Sequence, residues 1–156
     1  MSETEKGSLL CRVDFPLYGA AMISPRHILV AGGGGSANTG VKNGFQIFEI
    51  TTDGENCIGT SVCRFYTGEF SVMSLSARGN INNNQPLKVY VAAGHNEYCQ
   101  VYSITLGRER HLSESGLRQR NVTNGTPGQK IVNDDQSKLV FQVEPLKKVQ
   151  IDFHEK

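Results

Sequence analysis

The sequence has no Trp, only 5 Pro and 3 Met, and almost no excess of charge of either sign. Lys and Arg total 16 against 15 Asp and Glu, a net charge of +1. A dedicated nucleic-acid binder carries a basic excess on one face, so that class is excluded. An acidic disordered chain is excluded by the same balance. No apolar run approaches the roughly 18 residues a membrane helix needs. The first six residues, Met1 to Lys6, are polar and acidic and contain no secretory h-region. Cysteine is sparse: Cys11, Cys57, Cys63 and Cys99 form no C-x-x-C pair, and no His stands at zinc-ligand spacing from them. They are expected to be reduced, buried small hydrophobes of a cytosolic chain.

What is present is glycine, 17 residues in a chain of 156, together with period-two apolar alternation. That combination points to strands and turns rather than a helix bundle. Leu9 to Phe15 and Tyr18 to Met22 are predicted strands. His27-Ile28-Leu29-Val30-Ala31 is a short apolar run suited to a strand buried on both faces. It ends at Gly32-Gly33-Gly34-Gly35, where a regular sheet is hard to continue. Phe45 to Ile50 alternates cleanly. Cys57 to Tyr66 is a further predicted strand, broken by Gly59 and stopped by Gly68.

The order then repeats. Phe70 to Ala77 alternates, Arg78 to Pro86 is an Asn-rich loop, and Leu87 to Gly94 is a strand ending in glycine. His95 to Tyr98 makes a tight turn, and Cys99 to Ile104 alternates again. Val30-Ala31-Gly32 followed by Phe45–Ile50 thus matches Val91-Ala92-Ala93-Gly94 followed by Cys99–Ile104, a repeat of the kind that builds propellers. Residues 107–136 are polar and nearly devoid of apolar side chains, and read as a mobile insertion. Strands resume at Lys138–Val143 and Val149–Phe153. No helical pattern of normal length occurs.

Chemistry-bearing motifs are few. Gly32-x-Gly34-x-x-Ala37 follows a strand as a dinucleotide fingerprint does. The helix that would bind the pyrophosphate is missing, because a polar Gly/Asn stretch and another strand follow. Gly35-x-x-x-x-Gly40 opens like a P-loop, but Val41-Lys42-Asn43 supplies neither the adjacent Lys nor the magnesium-binding hydroxyl. His27, His95, His111 and His154 are scattered, and no nucleophile elbow or carboxylate pair is visible. The sequons at Asn121 and Asn124 are expected to go unused in a chain without a signal peptide. Arg118, Arg120 and Lys130 read as a solvated basic stretch. The Gly-rich loop stands out for one reason: Val41 is apolar amid polar and glycine residues, as suits insertion into a partner. Its backbone carbonyls with the Asn38 and Asn43 amides also offer hard oxygen ligands for a cation.

Phe15-Pro16-Leu17-Tyr18, Leu29-Val30-Ala31-Gly32-Gly33-Gly34-Gly35 and Thr39-Gly40-Val41-Lys42-Asn43-Gly44 together resemble the opening of one WD-repeat family. It is the Sec-twelve type, or prolactin regulatory element-binding protein family, of exchange factors that activate the Sar GTPase at the endoplasmic reticulum for COPII assembly. Cys99-Gln100 and Val149 to Phe153 fit the same pattern, although no Trp-Asp dipeptide occurs. The resemblance implies an all-β, WD-repeat-like β-propeller, of which this chain would hold about two blades plus a strand. The first blade would span 9–66 with the loop at 32–44, and the second 70–143 with the insertion at 107–136. Residues 147–153 would open a third.

The same resemblance implies a Sar-type small GTPase as partner, no nucleic acid, and membrane attachment only through an anchor absent from this chain. Asn38, Thr39, Gly40 and Val41 would be the GTPase-engaging residues, and Gly34, Asn38 and Asn43 would hold a potassium ion. The family acts on the cytosolic face of the endoplasmic reticulum membrane; this chain alone would be cytoplasmic. The alternative reading is a protein-binding scaffold without exchange activity. Two blades expose strand edges and a blade face, so the chain alone is expected to be marginally stable.

Overall fold

The computed structural model describes residues 9–37, 39–79, 87–109 and 138–151. The described residues contain eight strands and no helix. β1 (Leu17–Ser24), β2 (His27–Gly32), β3 (Asn43–Thr52) and β4 (Cys57–Gly68) form one sheet. β5 (Ser74–Gly79), β6 (Lys88–Gly94), β7 (Tyr98–Glu109) and β8 (Lys138–Gln150) form a second. Both are antiparallel, with neighbours in chain order. A four-stranded meander of this kind is the blade unit of a propeller. The all-β expectation holds, and two such sheets are consistent with the N-terminal part of one.

The sheets share one apolar layer. Period-two alternation aims Leu29 and Ala31 of β2 and Phe45 and Ile47 of β3 to the same side. The second sheet supplies Val89, Val91 and Ala93 from β6, Tyr102 and Ile104 from β7, and Phe141 from β8. Phe45 is the hub, stacked on Phe65 at 5.1 Å and edge-on to Tyr102 at 5.2 Å. Burial pushes the Tyr102 phenol up to about 12, so it stays neutral.

Several sequence-based expectations need correction. Leu9 to Phe15 is not a strand. Leu10 accepts a single backbone bond from Gly59 N–H, and Pro16 has no N–H to extend a ladder. Gly59 does not break β4, which runs through it. A Cβ there would lie 3.2 Å from Leu10 Cγ, so this glycine marks where the N-terminal segment crosses close to the strand. Phe70 to Met73 is not strand but the crossing between the sheets, and β5 begins at Ser74. Residues 107–109 belong to β7 rather than to the insertion, with Glu109 paired to Lys138. Residues 110–137 lie outside the described part.

Val149 and Gln150 do not open a third blade. They continue β8, paired with Cys99 and Tyr98. The strand passes Pro145 because it lies at the sheet edge and a register shift falls beside it, two places where a missing N–H is tolerated. Residues 152–156 lie outside the described part. All four cysteines are free, but Cys57 is exposed, and Cys63 is the one packed against the core. Burial raises its thiol pKa.

His95 seals the junction between the sheets. Its Nδ1–H points at the carbonyls of Phe70 (3.2 Å) and Ser71 (3.1 Å), and its ring stacks on Tyr98 at 4.7 Å. Nε2 is buried without a partner among the described residues. A proton there would carry charge into a site with no acceptor, so burial holds the imidazole below its ordinary value. Burial lowers His27 as well, where Ser24 Oγ meets Nδ1 at 2.8 Å and Phe141 packs edge-on.

Both histidines therefore bind protons more readily unfolded than folded. Their linkage costs no stability above the free imidazole value of 6.5 and removes stability as pH falls below it. The urea midpoint is expected to drop between pH 7.5 and 5.5, and to drop less in His95→Gln; equal midpoints would refute this. Phe45→Ala removes the hub of the shared layer and is expected to cost about 3–5 kcal/mol in the same titration.

Candidate functional site

The loop between β2 and β3 doubles back on itself. Gly33 and Gly35 take positive φ values of 142° and 79°, in the region that disfavours a side chain. A Cβ on Gly34 would fall 2.7 Å from Thr39 Oγ1 and 2.8 Å from Val41 Cβ, so the returning arm lies directly against the outgoing one. The Thr39 N–H donates to the Ala37 carbonyl, which closes the turn. Ser36, Ala37, Thr39 and Gly40 are exposed, and Asn38 lies outside the described residues. Val41 is half-buried rather than the outermost residue; it flanks the exposed end as an apolar shoulder.

The loop is closed at its base by Asn43, which is 5% exposed. Its Oδ1 accepts from Gly35 N–H at 2.8 Å and from the Ser71 hydroxyl at 3.1 Å. Its Nδ2 donates to the carbonyls of Gly35 (3.1 Å), Gly68 (3.1 Å) and Glu69 (2.7 Å). Because the Gly35 N–H can only donate, the orientation of the amide is set. Local structure makes this possible: Asn43 opens β3 opposite Gly68, where β4 ends with a positive φ of 100°.

Two clefts of about 340 and 470 Å³ flank the loop. They share Val41, Lys42 and Tyr66 in their walls. Lys42 Nζ sits 4.5 Å from the centre of the exposed Tyr66 ring, a cation–π pair at the rim. The first cleft also has Arg64, which holds Asp14 through two bonds of 3.0 and 2.8 Å. That guanidinium keeps the Asp14 carboxyl below the usual carboxylate range. The site therefore offers exposed backbone, an apolar shoulder, a cation and an aromatic ring, the makings of a protein-binding surface.

The structure thus brings Gly34, Thr39, Gly40 and Val41 together, as their short spacing requires. Of the potassium set of Gly34, Asn38 and Asn43, Asn38 lies outside the described residues and the Asn43 amide is engaged by protein groups. Both lone pairs of Asn43 Oδ1 are already used, by Gly35 N–H and the Ser71 hydroxyl. The carbonyls of Gly32, Gly35 and Ala37 are likewise taken, by Val72 N–H, Asn43 Nδ2 and Thr39 N–H. Lys42, Arg64, Tyr66 and Ser71 were not singled out from sequence. Only the β3–β4 register carries Tyr66 and Arg64 to the loop, and nothing in local spacing signals it.

No family model matches the chain. It is 28% identical to the rat (Rattus norvegicus) protein described as "Guanine nucleotide-exchange factor SEC12", over 92% of this chain and 37% of the relative. It is 28% identical to the mouse (Mus musculus) protein of the same description, over 95% of this chain and 35% of the relative. The chain thus spans about a third of the length of the curated relatives it matches. Along nearly all of its own length, the chain is similar to these two Sec12 guanine nucleotide-exchange factors.

Proposed function

We propose that this chain acts on a Sar-type small GTPase as a guanine nucleotide exchange factor. The 33–42 loop is the engaging element, with Asn38, Thr39, Gly40 and Val41 at its working end. The place of action is the cytosolic face of the endoplasmic reticulum, at the start of COPII vesicle formation. The observation that carries the reading is a tightly returned, anchored loop with an exposed end between two clefts, in a chain whose relatives are named as exchange factors.

The mechanism asks for no bond-making residue. An exchange factor binds the nucleotide-free GTPase more tightly than the loaded one, and by linkage it weakens nucleotide by the same factor. A loop that holds its shape before contact delivers more of its binding energy to that difference. Ordering a free loop would cost about 1–2 kcal/mol per residue. Val41 supplies apolar contact at the shoulder. The Lys42–Tyr66 pair supplies a cationic and aromatic rim for the acidic and apolar side chains of a partner.

Release of a fluorescent guanine nucleotide from a Sar-type GTPase tests this directly. The full chain is expected to accelerate release, and Val41→Ala, Asn38→Ala and Tyr66→Ala each to slow it by roughly tenfold, which corresponds to about 1.4 kcal/mol. Wild-type rates in all three variants would sink the loop assignment. The second reading, a scaffold that binds without exchange, is favoured by the exposed Tyr90 and Val149 on the second sheet. It predicts capture of the GTPase with no change in nucleotide release.

A further inference from the structure

We infer that Asn43 is the positioning residue of the loop. Its side-chain amide does the work that a bound monovalent cation would otherwise have to do, so the loop keeps its shape whatever salt is present.

The argument begins with convergence. Three backbone carbonyls, those of Gly35, Gly68 and Glu69, come within 2.7–3.1 Å of one point. They come from the loop, from the last residue of β4 and from the segment that leaves the first sheet. Carbonyl dipoles aimed at a common centre repel one another unless something positive lies between them. Here that something is the Nδ2 amide group of Asn43, whose two N–H bonds serve three acceptors. The other end of the side chain is equally committed, with Oδ1 receiving Gly35 N–H and the Ser71 hydroxyl. Gly35 is therefore gripped on both its N–H and its C=O by one side chain.

The grip is itself held in place from the second sheet. Ser71, which donates to Asn43, accepts through its own carbonyl from His95 Nδ1 at 3.1 Å. Ser71 and His95 are both 8% exposed, so water competes little for these bonds. A would-be Cβ on Gly33 lies 2.2 Å from Asn43 Oδ1, so the amide fills the inside of the turn against the backbone. An ion entering there would have to displace it.

The role bears on the proposed exchange activity, because it concerns the same loop, but its test does not require that activity. Hydrogen exchange at the Gly35 amide and across 33–42 is read in potassium, sodium and choline chloride, with the β3 interior as fold control. In the wild-type chain the protection is expected to be the same in all three salts. Asn43→Ala is expected to speed exchange at Gly35 by at least about tenfold in every salt. Asn43→Asp puts a carboxylate where three carbonyls converge, and is expected to lose protection in choline and regain part of it in potassium or sodium.

Should Asn43→Ala fail to fold, Ser71→Ala removes a single bond to Oδ1. It is expected to raise Gly35 exchange severalfold with the β3 interior unchanged. Wild-type protection that collapses when choline replaces potassium would overturn the inference, as would unchanged protection in the Asn43 and Ser71 variants. Nucleotide release measured on the same samples separates the two ideas. An inactive chain with a salt-independent loop refutes exchange and leaves the clasp, and an active chain whose loop needs potassium does the reverse.

Discussion

Everything in this structure depends on how the chain crosses from one sheet to the next without stranding its backbone polar groups. The crossing, Glu69 to Met73, is not strand, so no ladder satisfies it. Five of its backbone groups are met individually. The Glu69 carbonyl goes to Asn43, those of Phe70 and Ser71 to His95, the Val72 N–H to Gly32 and the Met73 N–H to Gly94. Val72 is meanwhile fully buried in the layer the sheets share. A buried polar group left without a partner costs about 1–3 kcal/mol, so this set has little slack. The crossing fixes the two sheets against each other, and the same bonds fix the base of the loop.

That shared use links stability to the function proposed for the loop. A loop carried on the end of a strand would ordinarily be the least ordered part of a sheet. Here its base is held by the side-chain bonds of Asn43, while its far end stays exposed. Rigid support with an accessible tip is the arrangement that lets contact energy go into discriminating between partner states rather than into ordering the loop.

Much of this was legible in the amino-acid order. Phe45 to Ile50 and Lys88 to Gly94 alternate because one face of each packs on the other sheet, and that periodicity belongs to the sequence itself. The Gly32–Gly35 cluster marked the loop, and the motif Thr39 to Gly44 carried the family resemblance. Legibility failed wherever an outcome hung on a neighbour distant in sequence. Gly59 looked like a strand breaker, yet it is the gap that admits Leu10 and Cys11. Lys138–Val143 and Val149–Phe153 looked like two strands, yet β8 runs from Lys138 to Gln150 because an edge position and a register shift absorb Pro145. Asn43 offered an amide oxygen to a cation in the sequence, and the donors that reach that oxygen, Gly35 N–H and the Ser71 hydroxyl, come into view only in the fold.

The sequence by itself determined the all-strand class, the repeat of two meanders, the position of the glycine loop and the likeness to Sec12-type exchange factors. These follow from local periodicity and from short motifs, which need no partner to be read. Tertiary structure alone decided what holds the loop. Gly35, Gly68, Glu69 and Ser71 are up to 36 positions apart along the chain. Only strand pairing and the packing of one sheet on the other bring their backbone groups and hydroxyl within bonding distance of a single asparagine.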